Sequence, residues 1–322
     1  MKIQFCVPSY IPFYNAGSEW YVHGLALRLA SRGHDVSVIS TISPLDRCHR
    51  RTIDGVDCNY TANVAEARKI AQTFEPDIAF SQFDVLTDML IRYKAEWNCK
   101  VGVILHHFNA FENINKRGQF DKVDLFVANS NYLQKLVGAK CITLWPPIVR
   151  ERVVGKKSGD KITLINLLPE KGAEIFYALA EKHPELEFVG VVGGYQKLKQ
   201  LRKTSLKNVS IFENIKEVAR YYEETRILLM PSKIESFGMV GVEAQMNGIP
   251  VIAADLPELH ESLCDGAIFC KSFDDYDNAL TEVENNYAEL SVAAVKNALI
   301  KAETIERQVD EFELACKELC NV

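Results

Sequence analysis

Two acidic residues, Glu235 and Glu243, stand eight positions apart across what reads as a strand-to-helix junction. The run Arg226-Ile-Leu-Leu-Met-Pro-Ser232 predicts a buried strand that Pro231 stops. Lys233 to Gly238 form a short loop, and a helix follows to Asn247, with Gly248 as its terminator and Ile249-Pro250 leading into the next strand. Glu235 therefore lies in a loop at the carboxyl end of a strand, where open α/β sheets bind ligands. The backbone N–H groups of Ser236, Phe237, Gly238, Met239 and Val240 open the helix, and its dipole suits a diphosphate. Glu243 lies about two turns further in, at ~1.5 Å per residue, where a carboxylate can accept two hydroxyls of a ribose. Spacing alone would equally describe a loop charge and a helix-surface charge.

The flanking residues add to the pair. Ile227-Leu-Leu-Met-Pro-Ser232, Glu235-Ser-Phe-Gly238, Glu243-Ala-Gln-Met246, Gly248-Ile-Pro-Val-Ile-Ala253 and Glu258-Leu-His-Glu261-Ser-Leu263 follow one another at telling intervals. In order and spacing they resemble the E-x7-E region of the large retaining glycosyltransferase family of the family 4 type, whose C-terminal domain is shared with bacterial glycogen synthases. The resemblance implies an α/β, GT-B architecture: two doubly wound Rossmann-like domains facing across a cleft, with a C-terminal helical segment. It implies that Glu235 holds donor-sugar hydroxyls, that Glu243 holds the ribose, and that the amides after Glu235 hold sugar and phosphate.

Other motifs follow in falling weight. Lys171, in Ile165-Asn-Leu-Leu-Pro-Glu-Lys171-Gly, projects from a strand–turn–helix and supplies a cation for a departing diphosphate. The resembling family commonly carries an Arg five residues earlier; here that donor-side position is Asn166. Near the N-terminus the family carries a Gly-Gly-x-Glu-like loop facing the donor phosphate. Ala16-Gly17-Ser18-Glu19 offers Gly17 there with one glycine replaced, and Ser18 could also serve as an N-cap. G-x-G-x-x-G is absent after this first strand, which excludes the dinucleotide fingerprint. In Leu105-His106-His107-Phe108 the resemblance points His106, or failing it His107, at the reacting sugar. A His pair could also bind a metal, but no third ligand stands at suitable spacing. Asp275-Tyr-Asp277 is the only D-x-D string, and Ser272-Phe-Asp-Asp reads as a helix N-terminus instead. No metal is expected.

Elements at two periodicities must position these residues. Strands are predicted over 3–7, 36–40, 78–80, 101–105 and 125–128, separated by helices over 19–31, 62–74, 84–96 and 131–137. The rhythm pauses at 145–160, where two prolines and a Gly/Lys/Ser segment mark a boundary. It restarts with strands over 162–165, 186–192, 209–212, 227–230 and 250–253 and helices at about 170–182, 195–204, 215–223 and 237–247, before a long helix from about Tyr287. Expected domains are 1–150 on the acceptor side, 151–300 for the donor, and a helix over 301–322 crossing back to the first domain.

Bulk composition bounds the rest. The net charge of −6 argues against wholesale nucleic-acid binding. Basic clusters at Lys197, Lys199, Arg202, Lys203 and Lys207, and at Arg47, His49, Arg50 and Arg51, read as solvated faces, or as grips for a phospholipid surface or nucleic acid. Nine cysteines without a CxxC pair fit a reducing compartment. With no leader pattern and no apolar run of membrane-spanning length, the expected location is cytoplasmic, with peripheral membrane contact allowed.

The expected reaction is metal-free, retaining transfer of a sugar from a nucleotide-diphosphate donor to an acceptor hydroxyl. No cofactor beyond the substrate is expected, and UDP-sugar is favoured over GDP-sugar on family frequency. The acceptor is open among glycan, lipid, protein, small molecule and modified nucleic acid. A nucleotide-sugar 2-epimerase and a catalytically idle nucleotide-sugar-binding subunit are the alternatives.

Overall fold

The computed structural model describes residues 1–42, 48–84, 86–138, 140–156, 159–194 and 205–322. The helix expected over 195–204, with Lys197, Lys199, Arg202 and Lys203, lies outside the described residues, as does Arg47. The chain divides into two compact units, one of Met1–Pro147 with Ile305–Val322 and one of Ile148–Thr304.

In the first unit the strands are β1 (Lys2–Val7), β2 (Asp35–Ser40), β3 (His49–Ile53), β4 (Val56–Tyr60), β5 (Ile78–Gln82), β6 (Lys100–Leu105), β7 (Leu125–Ala128) and β8 (Cys141–Thr143). Among the described residues they form one sheet in the order β3-β4-β2-β1-β5-β6-β7-β8. The central strands are mostly apolar and almost wholly buried, as a parallel sheet covered by crossover helices requires. Gly102 on β6 leaves room for the Phe80 ring, whose nearest carbon would lie 2.1 Å from an added Cβ. Among the described residues only the β3–β4 pair is antiparallel. That hairpin was not anticipated: Asp54 and Gly55 both take positive φ, 48° and 86°, as a tight hairpin turn needs. It puts His49, Arg50 and Arg51 on an exposed edge strand, with Arg50 Nε 2.8 Å from Asp57.

The helix Tyr287–Cys320 runs from the second unit into the first. Its last part buries Ile305, Val309, Phe312 and Cys316, a stripe at helical spacing, with the Phe312 ring 5.0 Å from Phe80. Arg32 reaches Glu306, Asp310 and Glu313 on the flank of that stripe.

In the second unit the strands are β9 (Lys161–Ile165), β10 (Phe188–Val191), β11 (Val209–Phe212), β12 (Thr225–Met230), β13 (Val251–Ala254) and β14 (Ala267–Cys270). Their order is β11-β10-β9-β12-β13-β14, parallel throughout. Leu164, Phe176, Phe188, Leu229 and Ile252 share its core. Both units are Rossmann-like α/β layers. Among the described residues no helix is long and apolar enough to cross a membrane.

Candidate functional site

Strand order locates the site in the second unit. From β9 the chain winds outward to β10 and β11, then returns to lay β12 on the other side of β9. The loops after β9 and β12 thus leave the sheet side by side at its switch point, where open α/β sheets form ligand crevices. Lys171 stands in the first of these loops and Glu235 in the second.

A tight backbone contact holds the two loops together. Pro169–Lys171 is a single 3-10 turn, and Gly172 follows it at φ +82° to begin the helix Ala173–Lys182. A Cβ on Gly172 would lie 2.2 Å from the Pro231 carbonyl oxygen, so only glycine lets the turn sit there. Lys233 N donates to Glu170 O at 2.9 Å across the same contact. In consequence Lys171 Nζ lies 2.7 Å from Glu235 Oε2 and 3.4 Å from Ile234 O. Ser236 N donates to Glu235 Oε1 at 3.2 Å, fixing the carboxylate over the start of the next helix. The pair is partly withdrawn from water, with side chains 25% and 13% exposed.

Phe237 is buried and anchors the loop. Gly238 follows at φ +83°, with Leu259 Cδ2 2.4 Å from where a Cβ would stand. The helix Met239–Met246 then begins with no side chain capping it. Its first turn, including Met239 and Val240, is half-buried and presents the positive end of the helix dipole beside Glu235.

Asn166, at the end of β9, takes φ +73°, a conformation that Asn tolerates better than long side chains do. Its Oδ1 is buried and has no hydrogen-bond partner among the described residues. An Arg there would carry a charge; Asn166 carries a dipole.

Glu243 is 4% exposed. Arg152 Nη1 donates to its Oε1 at 2.9 Å, and the Tyr222 hydroxyl donates to its Oε2 at 2.6 Å. Burial first, and then the negative charge of Glu243, push the Tyr222 phenol well above its ordinary pKa, so it stays a donor. Asn247 braces the arrangement: its Nδ2 donates to Val153 O at 3.0 Å and Glu243 O at 2.9 Å, and its Oδ1 accepts from Gly155 N at 3.0 Å. Arg152, Tyr222 and Asn247 were not anticipated from the sequence. Arg152 falls inside the stretch read as linker, which instead forms the short helix Arg150–Val153 against Met239–Met246.

A second cluster forms in the first unit, where the sheet order again reverses, between β1 and β5. Gly17 opens the helix Gly17–Ser31 after β1. Ser18 does not cap that helix; its hydroxyl donates to Glu19 Oε2 at 3.1 Å. Glu19 is buried, and its other oxygen accepts from Ser9 Oγ at 2.5 Å, tying the loop to the helix start. Gln82, at the end of β5, places its Nε2 2.7 Å from Ser18 O and 3.0 Å from His106 Nε2. Because that amide nitrogen faces a carbonyl it is the donor, so His106 Nε2 accepts and Nδ1 carries the proton. Tyr21 and Phe83 flank the ring, each with centroids 5.1 Å away. Burial, aided by the neighbouring His107, holds the His106 pKa down to about 3. His107 is exposed and stands at the start of the helix Phe108–Lys116, so His106 is the histidine joined to the Gly17–Ser18 turn.

Asp275 and Asp277 do not converge on a site. Asp275 closes a capping box with Ser272, while Asp277 pairs with Lys182 at 2.8 Å and His183 at 2.7 Å. Among the described residues no group of three or more His, Cys, Asp or Glu is arranged to hold a metal ion.

Against known proteins, residues 16–149 match the family model described as Glycosyltransferase Family 4, and residues 151–300 match Glycosyl transferases group 1. The chain has the GT-B fold, and its two halves match two glycosyltransferase family models in turn. Two solved structures superimpose over nearly the whole of this chain. Sucrose-phosphate synthase from Thermosynechococcus elongatus does so with TM-score 0.78 at 14% identity, covering 99% of each chain. Anabaena Alr3699/HepE, in complex with UDP-glucose, does so with TM-score 0.77 at 16% identity, covering 98% of this chain and 100% of that one. At these identities the likeness is one of fold. A D-inositol 3-phosphate glycosyltransferase of Streptomyces bingchenggensis is 48% identical over 50 residues, which are 16% of this chain and 11% of that relative.

Proposed function

We propose that this glycosyltransferase moves a sugar from a nucleoside diphosphate, of the UDP-sugar class, to an acceptor hydroxyl with retention of configuration and without a metal. The observation that carries the proposal is the Lys171–Glu235 pair, 2.7 Å apart at the switch point of the second unit and beside the uncapped start of Met239–Met246. A carboxylate there accepts hydroxyls of the donor sugar, and the ammonium and the helix dipole face the diphosphate. Each role uses a group the fold holds rigid before substrate binds, which is what electrostatic stabilisation of a leaving group requires.

In the proposed reaction the bond from the anomeric carbon to the diphosphate oxygen breaks, leaving an oxocarbenium-like sugar. The acceptor oxygen bonds to that carbon on the same face, and its proton passes to the departing diphosphate. Lys171 and the amides of Ser236 to Val240 balance the charge that develops on the leaving group. Glu243 grips the ribose. Its two protein donors occupy two of about four lone-pair directions, leaving the others for a diol. Asn166 presents an amide where the resembling family has a guanidinium, so phosphate binding leans on Lys171. Within the first unit, neutral His106 serves as a hydrogen-bonding group and not as a cation, joined through Gln82 to the turn that Gly17 opens.

By this reading residues 151–300 carry donor binding and residues 1–150 the acceptor side, in the cytoplasm, where peripheral membrane contact is open to it. The acceptor hydroxyl belongs to a glycan, lipid, protein, small molecule or modified nucleic acid. Thermal-shift titration with UDP-, GDP- and ADP-sugars, followed by mass spectrometry of donor breakdown, tests the proposal. Stabilisation by a UDP-sugar with slow release of UDP is expected. No shift with any of the three donors would overturn it.

A further inference from the structure

Glu243 is not a carboxylate waiting in solvent. Its charge is almost entirely enclosed, with one oxygen on the Arg152 guanidinium and the other on the Tyr222 hydroxyl. Both partners are themselves immobilised. Tyr222 is buried on the helix Ala219–Glu224. Arg152 sits on a four-residue helix pinned through Val153 O and Gly155 N to Asn247, one turn after Glu243. Gly155 packs so closely that a Cβ would meet Glu223 Cγ at 2.6 Å. Such bracing is far more than a surface ion pair needs. It fixes the carboxylate plane, with two donors filling two of a carboxylate's roughly four acceptor directions.

We propose that Arg152 and Tyr222 are positioning residues for nucleotide recognition: they hold Glu243 in the orientation in which it accepts the two ribose hydroxyls of the donor. This rests on the reading that Glu243 binds the ribose. Arg152 touches no reacting atom. The ribose is held alike in ground and transition states, so loss of either partner raises KM for the donor and leaves kcat largely unchanged. A guanidinium-to-ammonium change keeps a charged donor to Oε1, whereas alanine leaves a buried charge uncompensated.

The test compares UDP with 2′,3′-dideoxy-UDP by isothermal titration, on wild type, R152A, R152K and Y222F, each first checked by thermal unfolding. Wild type should prefer UDP by roughly 100-fold or more, the loss of two charge-assisted hydrogen bonds. Y222F and R152A should shrink that preference to about threefold or less, while R152K retains most of it. Should R152A not fold, Y222F against R152K decides. If wild type prefers UDP and Y222F and R152A keep the full preference, the positioning role is wrong. Tighter binding of UDP by R152A would also overturn it, because Arg152 would then be competing with the ribose. If wild type shows no preference, or binds neither nucleotide, the ribose reading of Glu243 fails instead.

Discussion

Replacing Gly172 with alanine strikes the contact that brings Lys171 to Glu235, and two costs can be worked out for it. The backbone at φ +82° disfavours any L side chain by about 1–2 kcal/mol. The new methyl would also lie 2.2 Å from Pro231 O, 2.8 Å from Pro231 C and 2.4 Å from Pro231 Cγ. Those atoms belong to backbone and a closed ring at the end of β12, so the clash is relieved only by moving one loop off the other, at about 1–3 kcal/mol. The sum is about 2–5 kcal/mol, or roughly 5–15 °C in Tm for a unit of this size. Gly118→Ala is the matched control. Gly118 has φ +64° but nothing within 4 Å of the added carbon, so it incurs only the backbone cost. Circular dichroism melts of the two variants, each paired with a UDP titration, make the comparison. G172A should melt several degrees below G118A and bind UDP more weakly, because Lys171 is displaced from Glu235. Equal melting temperatures, or unaltered UDP binding in G172A, would refute the claim that this glycine sets the pair.

Further outcomes follow from the titratable groups. His106, with a pKa of about 3 against an ordinary 6.5, should stay neutral with its proton on Nδ1. Its imidazole NMR shifts should be flat from pH 8 to pH 4.5, and a transition near pH 6.5 would contradict the geometry. A depressed histidine favours the folded state above pH 6.5, and that contribution is withdrawn as pH falls toward 3. Glu313 is held down to about 2, first by its hydrogen bond with Lys317 and with help from His34 and Arg32. Its contribution is intact above pH 4.5 and lost as pH falls toward 2. E313Q should therefore melt below wild type at pH 7, and the gap should close near pH 2. A gap independent of pH would mean that the ion pairs on this helix contribute nothing.

Much of the layout was legible because parallel strands announce themselves. Runs such as Ile3–Val7 and Ile227–Met230 are short, largely apolar and closed by turn residues, and each falls where the structure has a strand. The β3–β4 hairpin was not legible by that rule, since His49–Ile53 is polar and exposed. Its Asp54-Gly55 turn was the available signal. The stretch after Pro146-Pro147 reads as linker because prolines and charges dominate it. Its docking depends on Asn247 and Glu243, far along the chain. The sequence shows Lys171 and Glu235 each in a strand-to-helix loop, but their pairing across 64 residues arises from β9 and β12 lying side by side. For the same reason Gln82, which couples Ser18 to His106, looks like an ordinary strand end until β1, β5 and β6 are set next to one another.

In the proposed reaction the Lys171–Glu235 pair holds a sugar nucleotide and assists departure of its diphosphate. Mass spectrometry of UDP release from UDP-glucose, by wild type, K171M and E235Q at equal folded concentration, tests it most directly. Wild type should release UDP slowly; K171M, which removes a preorganised charge from the leaving group, should lose at least about 100-fold, and E235Q should slow release by loosening the sugar. Release by K171M or E235Q at the wild-type rate would contradict it.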